Sequence, residues 1–289
     1  MGNKLISKIS TSQLAERLGL LWRGRNTDIE MICPLDTIKD GGLCFTKSDQ
    51  GIVFSSAATV IAPHGTEQGQ GSIIESNNPR LDFAKALNLL LSNPGFVEHG
   101  EPANVATNAV VSQSAFLGRG VYIGARSIIG HNVVITDGVS IGTDCIIKSN
   151  TVIGEAGFGF ERDEKGIPIR ILHLGSVVIG NRVEIGSLNT VCRGTLGDTI
   201  IGDDVKTDDH VHIAHNCRVG RGALLTACVE LSGGVEVGAY SWIGPNSSII
   251  QKIKLGVNSF IGIASNVTKS VPDGASVAGN PARIFKIID

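Results

Sequence analysis

Between residues 117 and 267 the aliphatic positions recur at every sixth residue. Leu117, Ile123, Ile129, Ile135, Ile141, Ile147 and Ile153 fill seven successive slots. The ladder resumes at Ile179, Ile185 and Val191. It then runs unbroken from Ile213 through Val219, Leu225, Leu231, Val237, Ile243, Ile249, Leu255 and Ile261 to Val267. Gly118, Gly124, Gly130, Gly142 and Gly154 follow five of the first seven slots, and nine of the ten residues that directly follow the slots of the last run are Ala, Gly, Ser or Thr. A period of six matches neither a helix face nor simple strand alternation. It fits a short strand and a tight corner, with the aliphatic inward and a small residue where the chain bends. Stacked, such units make a parallel β-helix in which each buried Ile or Val contributes roughly 1.5–3 kcal/mol. Sandwich strands would not hold one phase over the nine steps from Ile213 to Val267.

The repeat is interrupted twice. Ile153 and Ile179 are 26 residues apart, across the insert EAGFGFERDEKGIPIRILHLG, and Val191 and Ile201 are ten apart, across CRGTLGDTI. Loops that break a solenoid's register are where function tends to sit.

Residues 1–100 do not count in sixes and predict a small α/β domain. Ser10 and Ser12 are caps for a short helix through Leu18, stopped by Gly19. Apolar runs at 51–55 and 58–62 predict strands. Asn78-Pro79 starts a second helix with Leu81, Ala84, Leu87 and Leu91 on one face, and Asn93-Pro94 ends it. The repeat domain then covers 101–271, with its insert near 155–176. Pro272-Asp273-Gly274 makes a turn into a short closing segment, 272–289, with no long terminal helix.

A net charge of −2 gives no electrostatic footprint for nucleic acid. The six cysteines form no CxxC pair or disulfide-like cluster. The N-terminus lacks an apolar signal core, Ile6 breaks the myristoylation pattern, and no run reaches the length of a membrane span. Cytoplasmic residence is the expectation.

Candidate chemistry gathers at His210, His212 and His215, within the stretch DDHVHIAHN. Solvent-facing histidines at a corner, a zinc site and a general base are the three readings open to such a cluster.

Further motifs carry a resemblance. Asn78-Pro79-Arg80-Leu81, the insert's Gly157-Phe158-Gly159-Phe160, Leu174-Gly175, the run VVIGNRVEIG at 177–186, Arg193-Gly194, Asp198-Thr199 and Ile213-Ala214-His215-Asn216 occur in this order. With them the chain resembles, over nearly its whole length, the UDP-3-O-acylglucosamine N-acyltransferases of the left-handed β-helix acyltransferase superfamily. The resemblance implies a homotrimer with active sites in clefts between subunits. It implies His215 as general base, taking a proton from a sugar amine that attacks an acyl thioester. The family's oxyanion donor is a glycine N–H one coil further on; at 18 residues per coil that is Gly233, and the unbroken register predicts that the two stack. Phe45, Phe158, Asn216 and Lys252 are the substrate-binding candidates it implies, with no metal and no tightly bound cofactor.

Departures accompany the match. Cys192 stands where the family has Asp before Arg-Gly. Lys252 stands at the second family histidine, where it can still hold a phosphate. KSDQG follows Phe45 in place of the family's uracil-contacting residues. The ending VAGNPARIF resembles nucleotide-sugar acetyltransferases that use coenzyme A rather than acyl carrier protein. The implied partners are therefore a nucleotide-linked amino sugar and an acyl-CoA or carrier-protein thioester. A sugar O-acetyltransferase is the alternative on the same fold. A zinc hydratase like the γ-class carbonic anhydrases, using the H-x4-H spacing of His210 and His215, is the alternative of another class, and an inert trimerising scaffold is a third.

Overall fold

The computed structural model describes residues 2–48, 57–67 and 70–287, which divide into two units. One comprises Met1–Glu98 with Gly159–Leu174, the other His99–Phe158 with Gly175–Asp289. The first unit is built on a six-stranded sheet in the order Lys4–Ser10, Asp28–Ile32, Gly42–Phe45, Thr59–Ala62, Ser72–Glu75, Trp22–Gly24. Its inner pairings are parallel and both edge strands pair antiparallel. The strand expected at 58–62 is Thr59–Ala62; the one expected at 51–55 lies outside the described residues. Ser10 caps the first helix (Thr11–Leu18) with a capping box, and Gly19 ends it in the left-handed region at φ 67°. Asn78 caps the second helix, Pro79–Ser92, through the Leu81 amide. Its buried face holds Leu81, Phe83, Ala84, Ala86, Leu87 and Leu90. Leu91, expected on that face, is 38% exposed, because one residue further round the helix turns it past the sheet.

The larger insert groups with this first unit, although the chain reads as though it belonged to the repeat. It forms an antiparallel hairpin of Phe160–Arg162 and Pro168–Arg170. The second helix holds the hairpin through Arg80–Glu161 at 2.7 Å, Lys85–Glu164 at 2.8 Å and the Asn88 amide on the Arg170 carbonyl at 2.9 Å.

The second unit is a left-handed parallel β-helix of three faces, and each coil gives one short strand to each face. Strand partners are 18 residues apart: Tyr122 with Ser140, Ile128 with Ile146, Val134 with Val152. Across the large insert the step is 38, Ser140 to Val178, and across the small one it is 22, Val178 to Ile200. The interruptions therefore add twenty and four residues and leave the coil itself intact. Ile123, Ile135, Ile141, Ile147 and Ile153 are wholly buried, and Leu117, in the first coil, is partly buried against the same core. A second inward slot two residues earlier escapes the six-residue reading because its occupants are mixed: Val121, Ser127, Val133, Val139, Cys145, Thr151.

The small residue after each aliphatic is needed for close approach, not for the bend. A Cβ on Gly124 would stand 2.5 Å from the Gly142 carbonyl oxygen of the next coil. The left-handed residue lies two positions on and is usually not glycine: Arg126, Asn132, Asp144, Asn150, Arg182 and Asp204 have φ between 53° and 62°. After the last coil Ala275–Gly279 extends the second face and turns back into Ala282–Ile287 as an antiparallel hairpin.

Candidate active site

The third face carries the strands Thr190–Arg193, His212–Ile213, Glu230–Leu231 and Ser248–Ile249 in register. Strand alternation sends Ile213 into the core and His212 outward. The chain then turns through Ala214 and His215 to Asn216, which takes the left-handed conformation at φ 62°. One coil on, Gly233 lies against the His215 ring. A Cβ there would come within 2.7 Å of both Cε1 and Nε2. The Gly234 amide donates to the His215 carbonyl at 2.9 Å, and the Lys252 amide donates to the Gly233 carbonyl at 3.0 Å. The stacking expected from the 18-residue count is thus present, and Lys252, exposed, follows one coil later.

The four extra residues of the small interruption hold this corner. The Asn216 side-chain amide donates to the Gly197 carbonyl at 3.2 Å, and its Oδ1 accepts the Thr195 N–H at 3.0 Å. That orientation turns Oδ1 toward His215 Nδ1, 3.0 Å away. An amide oxygen only accepts, so the imidazole carries its proton on Nδ1 and its lone pair on Nε2, the atom over Gly233. Thr195 Oγ1 is a longer second neighbour of Nδ1 at 3.4 Å. Thr199 Oγ1 accepts the Asn216 N–H at 2.9 Å. The side chain of Asn216, expected to bind substrate, meets His215, Thr195 and Gly197 here.

His210 occupies the preceding corner, exposed and left-handed at φ 60°, so it and His215 stand at opposite ends of one face. Among the described residues no three side chains of metal-binding type converge. His212 Nδ1 meets Thr190 Oγ1 at 2.6 Å. Burial lowers the His212 pKa, the Glu230 carboxylate opposes that shift, and His215 adds to it. Arg193 is buried, donating from Nη2 to Thr136 Oγ1 and the Asp137 carbonyl, each at 2.9 Å; desolvation lowers its pKa against the pull of Asp137 and Glu155. Cys192 is also buried, and burial, followed by Glu155, pushes its thiol pKa up.

The two aromatic candidates belong to different units. Phe45, half-buried, packs on Phe83 with ring centroids 4.9 Å apart, and Phe158 is 88% exposed at the start of the insert. Reasoning from sequence did not place Thr190, Thr195, Thr199, Glu230 and Ser232 around the histidines, although it quoted Asp198-Thr199 as a motif. Thr195 and Thr199 had a signal, their place in the register-breaking stretch; the others look like ordinary repeat positions.

The model of the bacterial transferase hexapeptide (six repeats) matches residues 120–155 and 198–233. The chain is 35% identical over 287 residues to the UDP-3-O-acylglucosamine N-acyltransferase of Delftia acidovorans (strain DSM 14801 / SPH-1), covering 92% of this chain and 84% of the relative. It is 30% identical over 306 residues to that of Herminiimonas arsenicoxydans, covering 92% and 86%. Among solved structures it is similar to Francisella novicida UDP-N-acetylglucosamine acyltransferase, with a TM-score of 0.54 and 26% identity over 65% of this chain and 70% of that one. No helix among the described residues is long and apolar enough to cross a membrane. Identity of 30–35% sustained over nearly the whole length means that the chain belongs to the UDP-3-O-acylglucosamine N-acyltransferase family and is an N-acyltransferase.

Proposed function

We propose that the enzyme moves an acyl group from a thioester to the amine of a nucleotide-linked amino sugar, of the kind its relatives are named for, with His215 as general base. The observation that carries this reading is the His215 imidazole laid over Gly233 with its lone pair on Nε2. An amine nitrogen attacking the thioester carbonyl gives up a proton to Nε2, and the Gly233 N–H donates to the oxyanion that forms. Collapse of the tetrahedral intermediate breaks the C–S bond, and the proton on His215 passes to the leaving thiolate. Glycine at 233 lets both ring and substrate approach the backbone closely.

Lys252 holds a phosphate of the acceptor as a point charge and Phe158 supplies an exposed aromatic surface; in the first unit, Phe45 is the aromatic candidate for a nucleotide base. The donor is a coenzyme A thioester at least as readily as a carrier-protein one, on the likeness of VAGNPARIF to acetyltransferases that use coenzyme A. The working form is a cytoplasmic homotrimer. Trp242 and Phe260, 41% and 42% exposed on successive coils of the second face, support a buried contact there.

The test is mass spectrometry after incubation with UDP-3-O-acylglucosamine, or UDP-N-acetylglucosamine as a hydroxyl acceptor, and acetyl-, hydroxybutyryl- and hydroxymyristoyl-thioesters of coenzyme A and of carrier protein. His215→Ala lowers kcat by about 10²–10⁴-fold, while His210→Ala leaves it near normal. Loss of activity and of a bound metal in His210→Ala, with His215→Ala active, would establish the hydratase reading instead.

A further inference from the structure

The two coils that bring His215 onto Gly233 also bring a second pair together three residues upstream. His212 and Glu230 are register partners in adjacent coils of the third face, so their outward side chains stand side by side. The Glu230 side chain leans toward the His215 corner, because its Oε1 accepts a hydrogen bond from Ser232 Oγ at 3.0 Å, and Ser232 directly precedes Gly233. A half-buried carboxylate thus lies beside the base and the oxyanion donor.

Its neighbours distinguish it from Glu184 and Glu236, two other outward glutamates of the β-helix. Glu184 is neutralised by Lys148 at 2.7 Å, and Glu236 by Lys254 at 2.9 Å. Glu230 has His212 on one side and Ser248 on the other, and among the described residues it forms no ion pair with Lys or Arg. The titratable groups around it are His212 on the preceding coil, His215 behind that, the inward thiol of Cys217, which burial pushes up to about 12, and Lys252 on the following coil at the Gly233–Gly234 corner. Neither His212 nor the thiol supplies a counter-charge: burial lowers the His212 pKa, with Nδ1 on Thr190, and the thiol stays protonated, while Lys252 makes no ion pair with Glu230. Glu230 is therefore a carboxylate without a cationic partner of its own, close to His215 and Gly233.

We propose that Glu230 binds the acceptor's nitrogen as an ammonium and so makes the site selective for amine acceptors. This rests on the N-acyltransfer reading and names what that reading leaves open, the form in which the amine arrives. Primary amines of this type have a pKa of about 8, so near neutral pH most of the acceptor is cationic and cannot attack. Docked on Glu230, the ammonium loses one proton to His215 and on to solvent. The amine then attacks the thioester, and its second proton travels through His215 to the leaving thiolate. Ammonium and thioester become amide, thiol and one released proton. Glu230 keeps its charge throughout.

The test compares wild type, Glu230→Gln and Glu230→Asp with UDP-3-O-acylglucosamine and acetyl-coenzyme A at pH 6 and pH 9. Glutamine keeps the shape and the Ser232 contact, so the fold survives. At pH 6 the Gln variant loses on the order of ten- to a hundredfold in kcat/KM, as expected for one charge-assisted hydrogen bond. The loss falls on the acceptor's KM, and the Asp variant restores part of it. At pH 9, where the acceptor is mostly neutral, the ratio of wild type to Gln variant shrinks toward one. An active wild type whose ratio to the Gln variant is the same at both pH values overturns this inference alone. A wild type that acylates no amine overturns the parent reading and this one with it.

Discussion

Gly233 and Gly234 are neighbours in sequence, and the structure predicts opposite consequences for replacing them with alanine. At Gly233 the backbone is ordinary, so alanine strains nothing by itself, but its Cβ would lie 2.7 Å from Cε1 and Nε2 of His215. Restoring normal contact requires the ring to retreat by about 0.7 Å, taking Nε2 off its line to the amine. A misplacement of about 1 Å costs around 10²-fold in rate. Gly233→Ala is therefore expected to lower kcat about a hundredfold. It leaves Tm nearly unchanged, because the displaced ring lies at a partly exposed corner. At Gly234 the nearest atom to a new Cβ is Lys252 Cγ at 3.6 Å, ordinary contact, but φ is 72°. A left-handed alanine costs about 1–2 kcal/mol, which at roughly 2–4 °C per kcal/mol in a chain of this size lowers Tm by several degrees. Its kcat stays within a few-fold of wild type. The assay is steady-state kinetics beside a thermal melt for both variants. A Gly233→Ala enzyme with near-normal kcat would refute the role given to the His215–Gly233 stack.

Two further outcomes are expected. Sedimentation at micromolar concentration gives a trimer, and Trp242→Glu, which places a charge on the exposed apolar strip with Phe260, shifts the protein toward monomer; a wild-type monomer counts against the whole mechanism. His212 titrates lower in the folded chain than in the unfolded one, so the unfolded chain binds its proton first as the pH drops. Stability is then highest above the ordinary imidazole pKa near 6.5 and declines as pH falls through and below it. Denaturant melts from pH 8 to pH 5 show a shallower decline in His212→Gln, and an unchanged slope would remove this assignment.

Much of the fold was legible because its rules are local. An inward aliphatic at every sixth residue states the coil directly, and Ser10, Gly19, Asn78 and Pro79 mark helix ends through bonds that reach only three or four residues. His215 over Gly233 was legible for a related reason: with an unbroken register, counting 18 residues gives the neighbour. Where counting failed, the structure decided. The grouping of 159–174 with the first unit depends on Arg80 and Lys85, some eighty residues away in the chain. The tautomer of His215 depends on a four-residue loop folding back onto Asn216. Glu230 reads as one more polar outward residue until Ser232 Oγ proves to hold its carboxylate toward the His215 corner. Burial follows from a residue's own period, whereas hydrogen bonds and charge depend on which polar groups three-dimensional stacking sets within about 3 Å. Sequence spacing states the first by itself; only the folded coils supply the second.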